Sequence, residues 1–492
     1  MTQSRQPRKS KQPPPKALDL FSGCGGLSLG LEQAGLQPLV AVERSEMAAE
    51  THFRNFHLRG EEWDEERWMR LLRGNLTEQV ESGTVVASVL DLLADRTALA
   101  ALDSMDFDVV VGGPPCQGFS MAGRRDPSDE RNRLPWAFLR FVERLKPKAV
   151  VVENVVGINR AFRSKGGVDS PFSQLQTALA KTLRREYGGY LVQPIEVNAR
   201  HFGVPQNRPR MMLVGLRADQ VAAASIELLR EPVRSLDEWQ AGLQAGSPQS
   251  RDELMVPRVG SRVVGDDWSV EHSAREAVID LDDTDYAIGV ESARYRRPDF
   301  RYAATMRGVG TVDAVIKLPN QTLRNHTPRA VQRFALYHYM YSNDIDRSVL
   351  AIAQGEEPPA VLRARVTEVL GEQALRPIGG LEFAEPDESE LVDVVMRLGT
   401  KKHTQRVVPA DAPAPTVVTL PDDYIHPGRP RIMTVRELAR IQSFPDWFEF
   451  RSKETTGSTR RRTEVPQYSQ VGNAVPPLMA KAVGELIIRL LS

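Results

Sequence analysis

The chain has 492 residues, 41% hydrophobic and 26% charged, and its 64 Lys and Arg balance 64 Asp and Glu. That length exceeds what one core usually holds, so two or more lobes are expected in an ordinary globular protein. Zero net charge excludes bulk electrostatic binding of nucleic acid, two cysteines far apart exclude a disulfide framework or a paired zinc site, and no apolar run could cross a bilayer.

Residues 1–16 carry Arg5, Arg8, Lys9, Lys11 and Lys16 with Pro13, Pro14 and Pro15. They lack an apolar h-region, so they read as a disordered basic tail in a reduced, cytoplasmic setting, not as a secretory signal. From residue 17 to 216 strand-like and helix-like segments alternate. Candidate strands are 17–20, 39–43, 88–92, 107–111, 149–153, 191–198 and 211–216, with helical patterns such as 136–145 between them. Several strands are short continuous apolar runs, as covering on both faces requires. The alternation predicts an α/β fold with a doubly wound, mostly parallel sheet. From 217 to 430 the chain is rich in Arg, Pro and Asp and the alternation stops, which reads as a second, smaller, irregular domain. Residues 431–492 return to order. Thr434 and Glu437 have capping-box spacing, and Val435, Leu438, Ala439 and Gln442 follow at helical intervals until Pro445 stops the helix. A last helix starts near Pro476-Pro477, with Met479, Val483, Leu486 and Leu490 on the face that would pack back on the sheet.

The chemistry-bearing residues sit at the carboxyl ends of the predicted strands, where open α/β sheets bind ligands. The first strand runs into Asp19-Leu20-Phe21-Ser22-Gly23-Cys24-Gly25-Gly26, a glycine turn that lets a ligand approach a helix N-terminus. A tight strand-to-helix turn alone would look the same. Glu43 ends the second strand, placed for ribose hydroxyls, and Asp91 lies on the third, placed for an adenine amino group. No GxxxxGK[ST] motif follows a strand, so the pattern favours a nucleoside without pyrophosphate, such as S-adenosylmethionine. Cys116 follows Gly112-Gly113-Pro114-Pro115 and is a candidate nucleophile. Glu153 ends the apolar run 149–152, where burial would favour its protonated form. Arg208 and Arg210, two residues apart on an extended segment, point to one side and give that side two cations.

These segments together resemble the DNA (cytosine-5)-methyltransferase family. The resemblance rests on Asp19 to Gly26, Gly113-Pro114-Pro115-Cys116-Gln117-Gly118-Phe119-Ser120, Glu153-Asn154-Val155 and Gly203-Val204-Pro205-Gln206-Asn207-Arg208-Pro209-Arg210. Near the end come Arg436-Glu437-Leu438-Ala439-Arg440-Ile441-Gln442-Ser443-Phe444-Pro445-Asp446 and Gln470-Val471-Gly472-Asn473-Ala474-Val475-Pro476. The resemblance implies that Cys116 adds to C6 of a flipped-out cytosine, that Glu153 serves N3, and that Arg210, helped by Arg208, meets O2. It also implies S-adenosylmethionine as cofactor. Phe21 would lie against the adenine, Gly23, Gly25 and Gly26 near the methionine portion, Glu43 on the ribose and Asp91 on the adenine amino group. Pro114 belongs to the same pocket, which Asn473 and Val475 would close. The stretch 117–134 would be a closing loop, and 217–430 a target-recognition domain.

Within that domain Arg294-Tyr295-Arg296-Arg297, Phe300-Arg301-Tyr302 and Asn325-His326-Thr327-Pro328-Arg329 are candidate DNA contacts, as is Arg460-Arg461-Arg462 further on. The expected partner is double-stranded DNA, with a companion restriction endonuclease in a bacterial restriction-modification system. A monomer is expected, with no membrane association. Two other readings stay open: a tRNA cytosine-5 methyltransferase, and a non-catalytic DNA-binding regulator on the same scaffold.

Overall fold

The computed structural model describes residues 13–115, 133–156, 171–220, 271–281, 301–308, 318–378, 389–402, 404–457, 460 and 463–491. Its centre is a seven-stranded sheet in the order β3-β2-β1-β4-β5-β8-β6. The strands are β1 Lys16–Leu20, β2 Gln37–Glu43, β3 Thr84–Val86, β4 Val109–Gly112, β5 Ala149–Val155, β6 Tyr190–Asn198 and β8 Pro209–Arg217; the short β7, Gln206–Asn207, pairs separately with Ala414–Pro415. β3, β2, β1, β4 and β5 run parallel, while β8 is antiparallel to both its neighbours. The short link between β6 and β8 explains that reversal. A parallel return needs a long crossover, and this link holds only the 3-10 turn Ala199–Phe202, Gly203 at φ 73° and β7.

The apolar runs become central strands because both sheet faces are covered. Val109, Val111, Ala149 and Val151 enter one hydrophobic cluster, and Val110, Val150 and Val152 enter the other. Alternate side chains point to opposite faces, so an unbroken valine run feeds both layers. At the end of β4, Gly112 has no room for a side chain: a Cβ there would strike the Leu20 carbonyl.

The expected strand at 88–92 is not one. The strand is Thr84–Val86, and residues Val89–Ala94 form a helix whose N-cap is Ser88, its hydroxyl accepting from the Leu90 amide at 3.2 Å. A short apolar run fits either period, and the serine cap decided for the helix. Asp91 consequently lies in the first helical turn with its side chain exposed.

The stretch expected to be irregular is partly helical where it is described, with two-residue strands and loops from 399 to 430. Pro328–Ser342, Val349–Ile352, Pro359–Leu370 and Leu391–Leu398 are helices around a core of their own that includes Phe334, Leu336, Met340, Val366, Val395 and Ile432. Pro328 and Pro359, which read as interruptions, occupy first turns, where proline costs no hydrogen bond. Two other pieces of the stretch, Ala274–Val278 and Arg301–Gly308, send Ala274, Ala277, Val278, Tyr302 and Met306 into the main core instead.

The C-terminal segment closes the sheet's near face. Thr434 and Glu437 form the capping box of the helix Val435–Ile441. That helix ends four residues before Pro445, because Ser443 takes a left-handed conformation at φ 64°. The last helix, Pro477–Leu491, buries Met479, Val483 and Leu486 and lies against the helix Gly26–Ala34. Gly30 permits the approach: a Cβ there would overlap Ala480 and the Pro477 carbonyl. No described helix is long and apolar enough to cross a membrane.

Candidate active site

A cavity of about 600 Å³ opens at the carboxyl ends of β1, β2, β4 and β5. Its volume suits a nucleoside-sized ligand. One end is built by the turn after β1. Phe21 leaves the strand left-handed at φ 62°, and Gly23 follows at φ 56°. Glu43 fixes this turn to the end of β2: one carboxylate oxygen accepts from the Gly23 amide at 2.9 Å and the other from the Ser45 amide at 2.6 Å. Burial pushes the Glu43 carboxyl above the usual range, and the backbone N–H groups pull partly back. Each oxygen keeps a second lone pair for a hydroxyl donor.

The other end is built by β4, β5 and β8. Gly113, Pro114, Pro115, Glu153, Asn154 and Arg210 all line the cavity. Arg210 Nε lies 2.8 Å from Glu153 Oε1, and both side chains are nearly buried. The antiparallel register produces the pair, setting Val155 opposite Arg210 so that Glu153 comes within its reach. A Cβ on Gly113 would lie 3.2 Å from Glu153 Oε2, so the glycine leaves room for the carboxyl group. Asn154 Nδ2 donates to the Pro114 carbonyl at 2.9 Å and ties β5 to the β4 exit. Cys116 comes directly after Pro115 and lies outside the described residues, as does the expected closing loop up to residue 132. Leu134, just beyond, lines the cavity.

A model of the C-5 cytosine-specific DNA methylase family matches residues 16–71, 89–266 and 317–489. The chain belongs to that family. It is 30% identical over 475 residues to the type II methyltransferase M.DdeI of Desulfomicrobium norvegicum, covering 96% of this chain and 88% of that one. M.XorII of Xanthomonas oryzae is 29% identical over 484 residues, 97% of this chain and 85% of its own. The DNA (cytosine-5-)-methyltransferase M.ApeKI of Aeropyrum pernix is 28% identical over 499 residues, 96% and 98% of the two chains. Membership makes this protein an enzyme, a methyltransferase of cytosine C5 in DNA.

The sheet brings most of the methylase's candidate residues together. Phe21, Gly23, Glu43, Pro114, Glu153, Arg208, Arg210, Asn473 and Val475 line the one cavity. Asp91 does not; Ser88 and Leu90 take that part of the wall, and the polar signal missed in the sequence was the helix-capping serine. Gly25 and Gly26 do not line it either. Gly25 caps the helix at φ 98° beneath the Phe56 ring, and Gly26 admits the Val475 carbonyl at a place a Cβ would fill. Arg208 does not repeat the role of Arg210, which pairs with Glu153. Its guanidinium is buried and donates to the carbonyls of Val417, Gly472 and Ala474.

Among the expected DNA contacts, residues 294–297 and 300 and Arg461 and Arg462 lie outside the described residues. Tyr302 is buried, and its hydroxyl donates to the Arg440 carbonyl at 2.5 Å, so it does not face DNA. Thr327 caps the helix Pro328–Ser342 and Arg329 donates to the Arg397 carbonyl at 2.8 Å, so this stretch first serves as a helix start.

Proposed function

We propose that this methylase transfers a methyl group from S-adenosylmethionine to C5 of a cytosine flipped out of a specific duplex DNA sequence, through a covalent bond from Cys116 to C6. The observation that carries the reading is a single cavity with the Glu43-braced glycine turn at one end and the Glu153–Arg210 pair at the other. Pro115 lines that cavity and leads straight to position 116.

The residues fit a sulfonium nucleoside. Glu43 offers carboxylate oxygens to ribose hydroxyls, Phe21 and Leu90 supply apolar wall for a purine, and Asn473 and Val475 supply the far side. When bound, S-adenosylmethionine supplies an electrophilic methyl group. The protein must make C5 of cytosine nucleophilic, which it is not by itself. The Cys116 thiolate adds to C6 and breaks the C5–C6 double bond. Electron density moves toward N3 and O2. Glu153 is the group placed to share a proton with N3 as charge develops there, and the Arg210 guanidinium paired with it meets the charge on the O2 side. C5 takes the methyl group, the C5 proton leaves, and the returning electron pair expels Cys116. Attack on C6 comes from above the ring, so the base must leave the stack, at about a few kcal/mol. A companion restriction endonuclease completes the reading, in line with the type II designation of M.DdeI and M.XorII.

Duplex DNA carrying 5-fluorocytosine tests the chemistry, because fluorine at C5 cannot leave as a proton does. With the methyl donor present, a denaturation-stable protein–DNA adduct should form, and Cys116→Ala should form none. Adduct formation with tRNA and not with DNA would overturn the choice of substrate; trapping by the alanine variant would overturn the covalent step.

A further inference from the structure

Gln206, Arg208 and Arg210 alternate along β7 and the start of β8, and all three side chains are buried. Arg210 turns to Glu153. Gln206 and Arg208 instead grip the segment that forms the far wall of the cavity. Gln206 Nε2 donates to Gln442 Oε1 at 2.8 Å, and its own oxygen accepts from the Val417 amide at 2.8 Å. Gln442 passes the tie on to the Val471 carbonyl at 2.7 Å. Arg208 Nη2 donates to the carbonyls of Gly472 at 2.9 Å and Ala474 at 3.0 Å, and Nη1 donates to that of Val417 at 3.3 Å. Gly472 and Ala474 flank Asn473, and Val475 comes next; Asn473 and Val475 both line the cavity.

We infer that Arg208 is a positioning residue for the methyl-donor end of the site, holding Asn473 and Val475 at the cavity wall and joining that wall to the strand that carries Arg210. The inference rests on the proposed function and adds a coupling between its two ends. A planar guanidinium presents several donors in fixed directions, so one side chain can serve three carbonyls from two chain segments. A lysine in its place offers a single nitrogen and cannot span them. The carbonyls it abandons would be buried without donors, and the segment would shift to find water.

Arg208→Lys tests this with two readouts. Calorimetric titration with S-adenosylhomocysteine, without DNA, should show affinity weakened by about tenfold or more, the loss expected from charge-assisted hydrogen bonds. The KM for S-adenosylmethionine should rise by a similar factor, while kcat at saturating donor and the KM for DNA stay within about twofold. Arg210→Lys should do the reverse, keeping S-adenosylhomocysteine affinity and losing kcat. Asn473→Ala should reproduce the donor defect, and joining it to Arg208→Lys should add little, since one acts through the other. Unchanged S-adenosylhomocysteine affinity in Arg208→Lys, or a rise confined to the KM for DNA, would overturn the inference. Should that variant fail to melt cooperatively, hydrogen exchange of the unaltered protein decides. S-adenosylhomocysteine alone must slow the amides of residues 206–208, 210 and 417, and unaltered exchange there rejects the coupling. A folded, unaltered protein that binds no S-adenosylhomocysteine would instead sink the proposed function.

Discussion

Cys24 shows how burial silences a thiol. It lies in the glycine turn, yet only 2% of its surface is exposed and its Sγ sits 3.7 Å from the Gln470 carbonyl. Burial pushes its pKa up to about 12, with nearby backbone N–H groups pulling slightly the other way. The thiolate is the reactive form, so Cys24 should resist alkylation in the folded protein. Peptide mass spectrometry after iodoacetamide in mildly alkaline buffer should find Cys24 unmodified in the native protein and modified after denaturation. Labelling of native Cys24 at the denatured rate would contradict the burial. Residue identity was legible in the sequence where a strand end delivered it: Glu43 and Glu153 close apolar runs and both reach the cavity. It was not legible for Arg208 or Tyr302, whose partners lie more than a hundred residues away. An arginine reads as a cation for a ligand until its buried carbonyl partners are known.

At the scale of elements, the site depends on how closely the first and last helices approach. The helix Gly26–Ala34 starts at the glycine turn, and the helix Pro477–Leu491 starts just after Val475. Gly30 and Gly484 both lie where the two helices meet, and a Cβ on Gly484 would come within 2.7 Å of the Ala34 Cβ. Gly30→Ala should therefore push the last helix outward and carry the Asn473–Val475 wall with it. Overpacking of this kind costs about 1–3 kcal/mol, despite alanine's better helix propensity. Thermal melting should show the loss, together with weaker S-adenosylhomocysteine binding. A Tm equal to or above that of the unaltered chain would show that the helices tolerate separation. Six of the seven expected strands formed, each within a few residues of its predicted place. The one at 88–92 failed because five residues, three of them apolar, are too few to set a period that chooses between helix and strand, and a single serine cap settled it. Two of the helices between 328 and 398 were missed for the opposite reason: Pro328 and Pro359 start helices rather than end them.

At the scale of the whole molecule, a buried charge lock ties pieces of the long excursion to the C-terminal segment. Arg440 pairs both nitrogens of its fork with Asp446, at 2.8 and 2.7 Å, and its third with Asp280 at 2.5 Å. It also donates to the Ala277 carbonyl, and Tyr302 donates to the Arg440 carbonyl. Burial alone would lower the arginine pKa, but the two carboxylates raise it, so Arg440 stays charged. Ala277, Asp280 and Tyr302 are thereby fixed to the helix Val435–Ile441 rather than left to a separate lobe. Arg440→Met should be destabilising by about 3–5 kcal/mol, because two buried carboxylates lose their partner. Chemical denaturation checks this, and Asp280→Asn with Arg440 intact should cost less. A near-native midpoint for Arg440→Met would show that the carboxylates find water.

Apolar period, glycine turns and the residues at strand ends were enough to specify most of the sheet and to bring Glu43, Glu153 and Arg210 to the cavity, and the motifs together specified the family. Those signals are local, and each strand carries its own side chain to the same end of the sheet. Tertiary structure alone decided which cations are free and which are clamped, and which wall Asn473 and Val475 build. It also decided which parts of the excursion join the main core. Those outcomes depend on contacts between segments far apart in the chain, where the energy comes from desolvated hydrogen bonds that exist only once both partners are buried together.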